Sequence, residues 1–181
     1  MSRGPLVPLT PTSIIVLGLV ERAGSATPYE LKLAVAATVG NFWSIPHSQL
    51  YAEPERLARA GSLAEQRERS GRRRRRFALT DQGRYELEAW RHEPVNGLPE
   101  LRDLALLKLF FGADALAVAP TQLAAHRAKL EAYEALAATD DGQGPRGGWL
   151  VLQAGIGHER EWVTFWERLA DPSAEPMSRG G

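Results

Sequence analysis

The sequence predicts a mainly α-helical chain that carries one β-hairpin and divides into two parts. Three observations lead there. Capping signatures, Thr10-Pro11 and Thr27-Pro28-Tyr29-Glu30, open two short apolar segments near the start. A Gly-containing break at Ser70-Gly71 separates two runs with strand alternation, the second led by five arginines, Arg72 to Arg76. Beyond the Pro- and Gly-bearing loop His92 to Gly97, every apolar pattern has helical spacing.

Each element follows from its residues. Thr10 suits an N-cap and Pro11 a first helical position, so a buried first helix runs through Ile14, Ile15, Leu17 and Leu19 to about Ala23-Gly24. Thr27 and Glu30 form a capping box, and a second helix runs to about Val39, where Gly40-Asn41 stops it. A third helix begins at Ser44-Ile45-Pro46 and ends at Ala60-Gly61; Leu50 and Leu57 share its inner face. Leu63 to Arg69 and Arg73 to Leu79 read as the two strands of a hairpin, with Phe77 and Leu79 facing inward. Thr80 then caps a fourth helix through Tyr85, Leu87 and Trp90. Three helices and a hairpin make a winged helix-turn-helix, placed at residues 9–92.

The second part, residues 98–170, is expected to be all helical and to dimerise. Leu98 to Phe111 is apolar on more than one face, which predicts burial on several sides. Pro120 to Thr139 is an Ala-rich helix, Asp140 to Gly148 a flexible loop, and Trp149 to Ala170 a long last helix. On that helix Trp149, Leu152, Ile156, Val163 and Trp166 form a coiled-coil-like stripe interrupted by Glu159. Residues 171–181 read as a disordered tail.

Composition narrows the function. The net charge is zero, yet residues 1–92 carry 14 Lys/Arg against 9 Asp/Glu, and residues 93–181 carry 8 against 13. A basic first half and an acidic second half place any polyanion on the first. There is no cysteine, which excludes disulfides and thiolate chemistry. Ser13 to Val20, the longest apolar run, is too short to span a bilayer, and no signal peptide is recognised, so a soluble cytoplasmic protein without membrane contact is expected. Gly155-x-Gly157 follows no strand, His158-Glu159-Arg160-Glu161 reads as a solvated face, and no Ser/His/Asp set has motif context. The reading is a non-enzyme with no cofactor and no metal.

The segments LTPTSIIVLGLV, TPYELK, FWSIPHSQLY, RLARAG, GRRRRRFALTDQGR and LRDLALLKLFF, in this order, resemble the PadR family of bacterial transcriptional regulators in its longer form, over about residues 9 to 170. The most specific pieces are Ser-x-x-His-Ser-Gln-x-Tyr at Ser44 to Tyr51 and Gly-Arg…Leu-Thr-x-x-Gly-Arg at Gly71 to Arg84. The resemblance implies a dimeric repressor on an inverted-repeat operator, with C-terminal helices building the dimer and release of DNA by a small molecule. The chain departs from the family where proline usually follows the tyrosine and leucine stands two further on: here stand Ala52 and Pro54. An internal proline removes a donor and clashes with the carbonyl four residues back, so a kink or break is expected near Glu53, with loss of a core side chain. In Gly61-Ser62-Leu63, serine stands where leucine is usual.

Candidate DNA contacts are Tyr29 at the second helix; Ser44, His47, Ser48, Gln49 and Tyr51 on the third; and Arg72, Arg73, Arg74 and Arg75 in the hairpin. Gln suits adenine, Ser and His are adaptable donors, and Tyr hydroxyls and arginines suit phosphate. Arg72 and Arg73 at the tip are preferred, because side chains alternate faces along a strand; Arg74, Arg75 and Arg76 are expected to divide between phosphate and acids such as Glu65 and Glu68. Arg56 is expected in an internal salt bridge. Leu104, Leu107, Phe110, Phe111, Leu152, Ile156, Val163 and Trp166 are the candidate dimer contacts. Trp43 and Trp149 are candidates for a pocket between the two parts that takes a small aromatic or hydrophobic effector. A winged helix that has lost DNA binding and serves protein interaction or ligand sequestration is the alternative; an arginine-rich RNA-binding segment is a third, less consistent with the hairpin.

Overall fold

The first two helices of the chain are started by side chains that cap their own backbone. A computed structural model of the chain describes residues 8–67, 74–142, 144 and 146–173. It divides into two compact units between Gly97 and Leu98.

In the first unit, helix α1 spans Pro11–Ala23 and opens with a reciprocal pair: the Ser13 amide donates to Thr10 Oγ1 and the Thr10 amide to Ser13 Oγ. Helix α2, Pro28–Ala37, opens the same way on Thr27 and Glu30. It stops two residues before the expected Val39, and one turn of 3-10 helix follows at Val39–Asn41. Gly40 makes that stop possible, since a Cβ there would lie 2.7 Å from the Val35 carbonyl oxygen. Helix α3 spans His47–Arg59. Strands β1, Leu63–Arg67, and β2, Arg75–Leu79, pair antiparallel with Leu63 opposite Leu79 and Glu65 opposite Phe77. The turn expected at Ser70-Gly71 lies outside the described residues. Helix α4, Asp81–His92, is capped by Thr80, whose Oγ1 accepts from the Gly83 amide.

Helix α1 is the centre of this unit. Ile14, Val16, Leu17, Leu19 and Val20 are buried on nearly every side of it, and α2, α3, α4 and β2 all pack against it. Leu31, Leu50, Leu57, Leu63, Phe77, Leu79 and Leu87 close the core, each burial contributing roughly 1.5–3 kcal/mol. The break expected at Pro54 does not occur: α3 runs unbroken through it. Nor is a core side chain lost, because the Pro54 ring is itself fully buried. The missing N–H costs one bond to Leu50, and packing of the ring and of Leu50 and Leu57 offsets it. Ser62 is buried too; its hydroxyl donates to Glu86 Oε2 at 2.6 Å.

The second unit is a helical hairpin with a short helix beside it. Helix α5, Leu104–Phe110, is shorter than the expected Leu98 to Phe111, because Asp103 caps it, its carboxylate accepting from the Ala105 and Leu106 amides. Helix α6, Ala115–Ala138, starts five residues before the expected Pro120, capped by Asp114, and carries Pro120 inside it. Helix α7, Arg146–Ala170, packs antiparallel on α6. The core is small: Ala105, Ala119 and Trp166, with Leu106, Leu109, Val118, Leu123, Trp162, Phe165 and Leu169 around them. Of the tail read as disordered, residues beyond Ser173 lie outside the described ones.

Candidate nucleic-acid interface

Helices α2 and α3 and the base of the hairpin converge on one face of the first unit. Tyr29, Glu30, Tyr51, Glu55, Arg74 and Arg75 line an open cleft of about 720 Å³ there. Tyr29 projects from the start of α2, exposed, beside a helix end whose capping box leaves part of the first turn free to donate. Ser44, His47, Ser48, Gln49 and Tyr51 are all exposed, on or just before the first turns of α3. Pro46 occupies the N-cap position of α3 and has no side chain that can cap; the Gln49 amide turns back to the Pro46 carbonyl at 3.0 Å, so the His47 and Ser48 amides ahead of it are the ones left for an outside acceptor. Gln49 is partly engaged: its amide oxygen accepts from Thr12 Oγ1 at 2.9 Å. One lone pair and both N–H groups remain for a base edge.

Below this surface α3 is bolted to α1. Arg56 grips Glu53 with two bonds, Nε to Oε2 at 2.9 Å and Nη2 to Oε1 at 2.6 Å, and Nη2 also reaches Ser13 Oγ. The buried Ser13 hydroxyl donates to Glu53 at 2.6 Å. Arg56 beside it holds the Glu53 carboxyl below the usual carboxylate range, against the opposing effect of burial. Arg56 is thus an internal salt bridge, as expected.

The arginines of the hairpin separate by position. Arg72 and Arg73, the preferred phosphate contacts, lie outside the described residues. Arg74 is exposed and has no ion-pair partner among the described residues. Arg75 is committed elsewhere: it forks onto Glu65 and also bonds Glu55, and these carboxylates drive its pKa up. The expected division between phosphate and acid falls to acid at this residue, and through Glu65 as foreseen. Arg76 donates to Ser25 and Glu30. Beside it the Ala26 and Phe77 backbones exchange hydrogen bonds of 2.9 and 2.8 Å, tying β2 to the loop before α2.

Residues 16–89 match the model of the transcriptional regulator PadR-like family, and residues 101–171 that of the virulence activator alpha C-terminal region. The negative transcriptional regulator PadR of Bacillus subtilis (strain 168) is 30% identical over 172 residues, covering 85% of this chain and 92% of that protein. The chain belongs to the PadR-like family of transcriptional regulators. Its structure is similar to that of Bacillus subtilis PadR in complex with operator DNA, with a TM-score of 0.76 and 24% identity over 87% of this chain and 96% of that one. It is also similar to the same protein in complex with p-coumaric acid, at 0.72 and 27%, over 87% and 95%. The Vibrio cholerae virulence activator AphA matches at 0.63 and 20%, over 88% and 95%.

In this PadR-like chain the candidate dimer contacts fall into two groups. Leu104, Leu107, Phe110 and Phe111 remain exposed, Phe110 at 81% and Phe111 at 77%. The burial expected on several sides of α5 is therefore not met within one chain, where only Ala105 is enclosed. Ile156 and Trp166 are already buried in their own unit, so neither presents free surface to a partner; Leu152 and Val163 are half-buried. Trp43 and Trp149 belong to different units, and each is close to half exposed.

One cluster escaped the sequence reading. Glu159, taken for a solvated face, is buried and holds His126 of α6 at 2.6 Å. His126 stacks on Trp162, which stacks in turn on Trp166 and donates to His158 Nε2. The available signal was Glu159 itself: an acid on an apolar stripe calls for a partner across the helix pair. No helix among the described residues is long and apolar enough to cross a membrane.

Proposed function

We propose that this chain is a sequence-specific, double-stranded-DNA-binding transcriptional repressor of the cytoplasm, non-enzymatic, acting as a homodimer on an inverted repeat. The observation that carries the reading is the exposed, uncapped start of α3 lying beside the basic hairpin. Residues 9–92 bind DNA. Each α3 enters a major groove with Ser44, His47, Ser48 and Gln49 at base edges, while Tyr29, Tyr51, Arg72, Arg73 and Arg74 take phosphates. Half-sites lie about one helical turn, ~34 Å, apart. Residues 98–170 dimerise, with the bare apolar side of α5, Leu104, Leu107, Phe110 and Phe111, as the surface offered. A small aromatic or hydrophobic effector releases the DNA, for which Trp43 and Trp149 are the candidate contacts. The p-coumaric acid complex of the Bacillus subtilis relative supports that ligand class. A winged helix that has lost DNA binding, the alternative, would be favoured by a recognition helix broken at Pro54, and α3 runs unbroken through it.

A gel-shift with the DNA upstream of its own gene tests the reading. The expected result is a retarded band removed by excess of the same fragment and not by bulk DNA. A band equally removed by both contradicts sequence specificity.

A further inference from the structure

Arg75 and Arg76 are neighbours on β2, so their side chains leave opposite faces of the strand. Each meets acids on a different helix of the helix-turn-helix. Arg75 donates from Nε and Nη2 to the two oxygens of Glu65, at 2.8 and 2.7 Å, and from Nη1 to Glu55 of α3. Its guanidinium also lies 5.6 Å from the centre of the Phe77 ring, over the core. Arg76 donates to Glu30 Oε1 at 3.1 Å and to Ser25, at the entry to α2. The hairpin base is therefore tied to both helices: Arg75 forks onto Glu65 of β1 and reaches Glu55 of α3 with its remaining nitrogen, and Arg76 bonds Glu30 of α2, and a lysine cannot hold two carboxylates in this planar geometry.

All three side-chain nitrogens of Arg75 face carboxylates, and Glu65, shared with Arg67 at 3.3 Å, and Glu55 together offset its charge. An arginine held this way has little to offer a phosphate. What it does fix is the distance between the hairpin and the third helix, two elements that must meet the DNA backbone and the major groove together. Ordering them before binding removes a cost that would otherwise fall on affinity.

We propose that Arg75 is a positioning residue, a strut that sets the hairpin against α3 through Glu55 and Glu65 and raises DNA affinity without touching phosphate. This rests on the DNA-binding reading above. It also assigns Glu55 and Glu65 a positive part in binding DNA, although both are acids on a surface that faces a polyanion.

The test is a set of affinity titrations on the upstream DNA fragment over a range of salt, using the full chain and its Arg75→Gln, Arg75→Lys and Glu55→Gln variants. A strut of partly exposed ion pairs predicts that each variant weakens binding about three- to fivefold. The slope of log K against log salt stays at the wild-type value. Glu55→Gln is the sharpest arm, because it loses affinity while removing a negative charge. Arg75→Lys is as weak as Arg75→Gln, since charge alone does not span two carboxylates. The strut is overturned if Glu55→Gln binds as tightly as wild type or tighter. It is also overturned if Arg75→Lys keeps wild-type affinity while Arg75→Gln lowers the slope by about 0.9, the loss of one phosphate contact. A melting temperature that falls in Arg75→Gln with affinity unchanged assigns the residue to stability alone and overturns it as well. If wild type itself shows no preference for the upstream fragment, the DNA-binding reading fails first and takes the strut with it.

Discussion

Replacing Glu53 with alanine removes the acid that binds α3 to α1. The carboxylate accepts two bonds from Arg56 and one from the buried Ser13 hydroxyl, all between 2.6 and 2.9 Å. Only 12% of the Glu53 side chain and 31% of the Arg56 side chain are exposed. The pair thus lies between a surface ion pair, at most about 1 kcal/mol, and a fully buried one, whose disruption costs about 3–5 kcal/mol. A loss of about 2 kcal/mol is expected at pH 7. If the first unit melts on its own, that lowers its Tm by roughly 10 °C. Circular dichroism melting reads it. The sign with pH follows from the depressed Glu53 pKa: the stabilisation is complete above the ordinary value of 4.5 and is lost as pH falls below it. The gap between wild type and Glu53→Ala should therefore hold from pH 7 down to the ordinary carboxylate value of 4.5 and narrow only as the pH falls further. A Tm shift under about 2 °C at pH 7, or a gap that does not change with pH, would refute the role given to this pair.

Three further outcomes are expected. Gly83→Ala places a Cβ 2.1 Å from the Ser62 carbonyl oxygen, so α4 must move; a loss of about 3 kcal/mol by denaturant unfolding is expected, and an unchanged midpoint refutes the close approach. His126→Ala leaves the Glu159 carboxylate enclosed without its partner and should destabilise the helical unit by about 2 kcal/mol, part of which Glu159→Leu restores in the double variant. Phe110→Asp with Phe111→Asp puts charges on the bare side of α5; sedimentation should show a dimer for wild type and a monomer for the variant, and a dimer in both removes α5 from the interface.

What could be read in the sequence was what is local. Thr10, Thr27 and Thr80 act on amides three residues away, so spacing alone located three helix starts. The strand alternation around Phe77 and Leu79 needed only period two and a buried face. Pro54 misled because a local penalty was weighed without the packing that overrides it. Leu98 to Arg102 misled in the opposite sense: Leu98 and Leu101 extended the apolar pattern of a helix, while Asp103 set its start. Glu65, across the hairpin from Arg75, could be expected from strand pairing, but Glu55 of α3 lies twenty residues from Arg75 and Glu30 of α2 forty-six from Arg76, distances at which no spacing rule operates. The same holds for Glu159 and His126, thirty-three apart on different helices. Capping and periodicity set the elements; tertiary pairing decided which arginines are left for DNA.

The most direct test is a fluorescence anisotropy titration of the upstream fragment and of an unrelated duplex of equal length, at several salt concentrations, with wild type and with Arg72→Ala/Arg73→Ala. Binding to the upstream fragment should be at least about a thousandfold tighter than to the unrelated duplex. Log K should fall linearly with log salt, and the double variant should lower that slope by about 1.8 on each hairpin engaged. Equal affinity for both duplexes, or a slope and affinity unchanged in the double variant, would contradict a helix that reads bases beside a hairpin that holds phosphates.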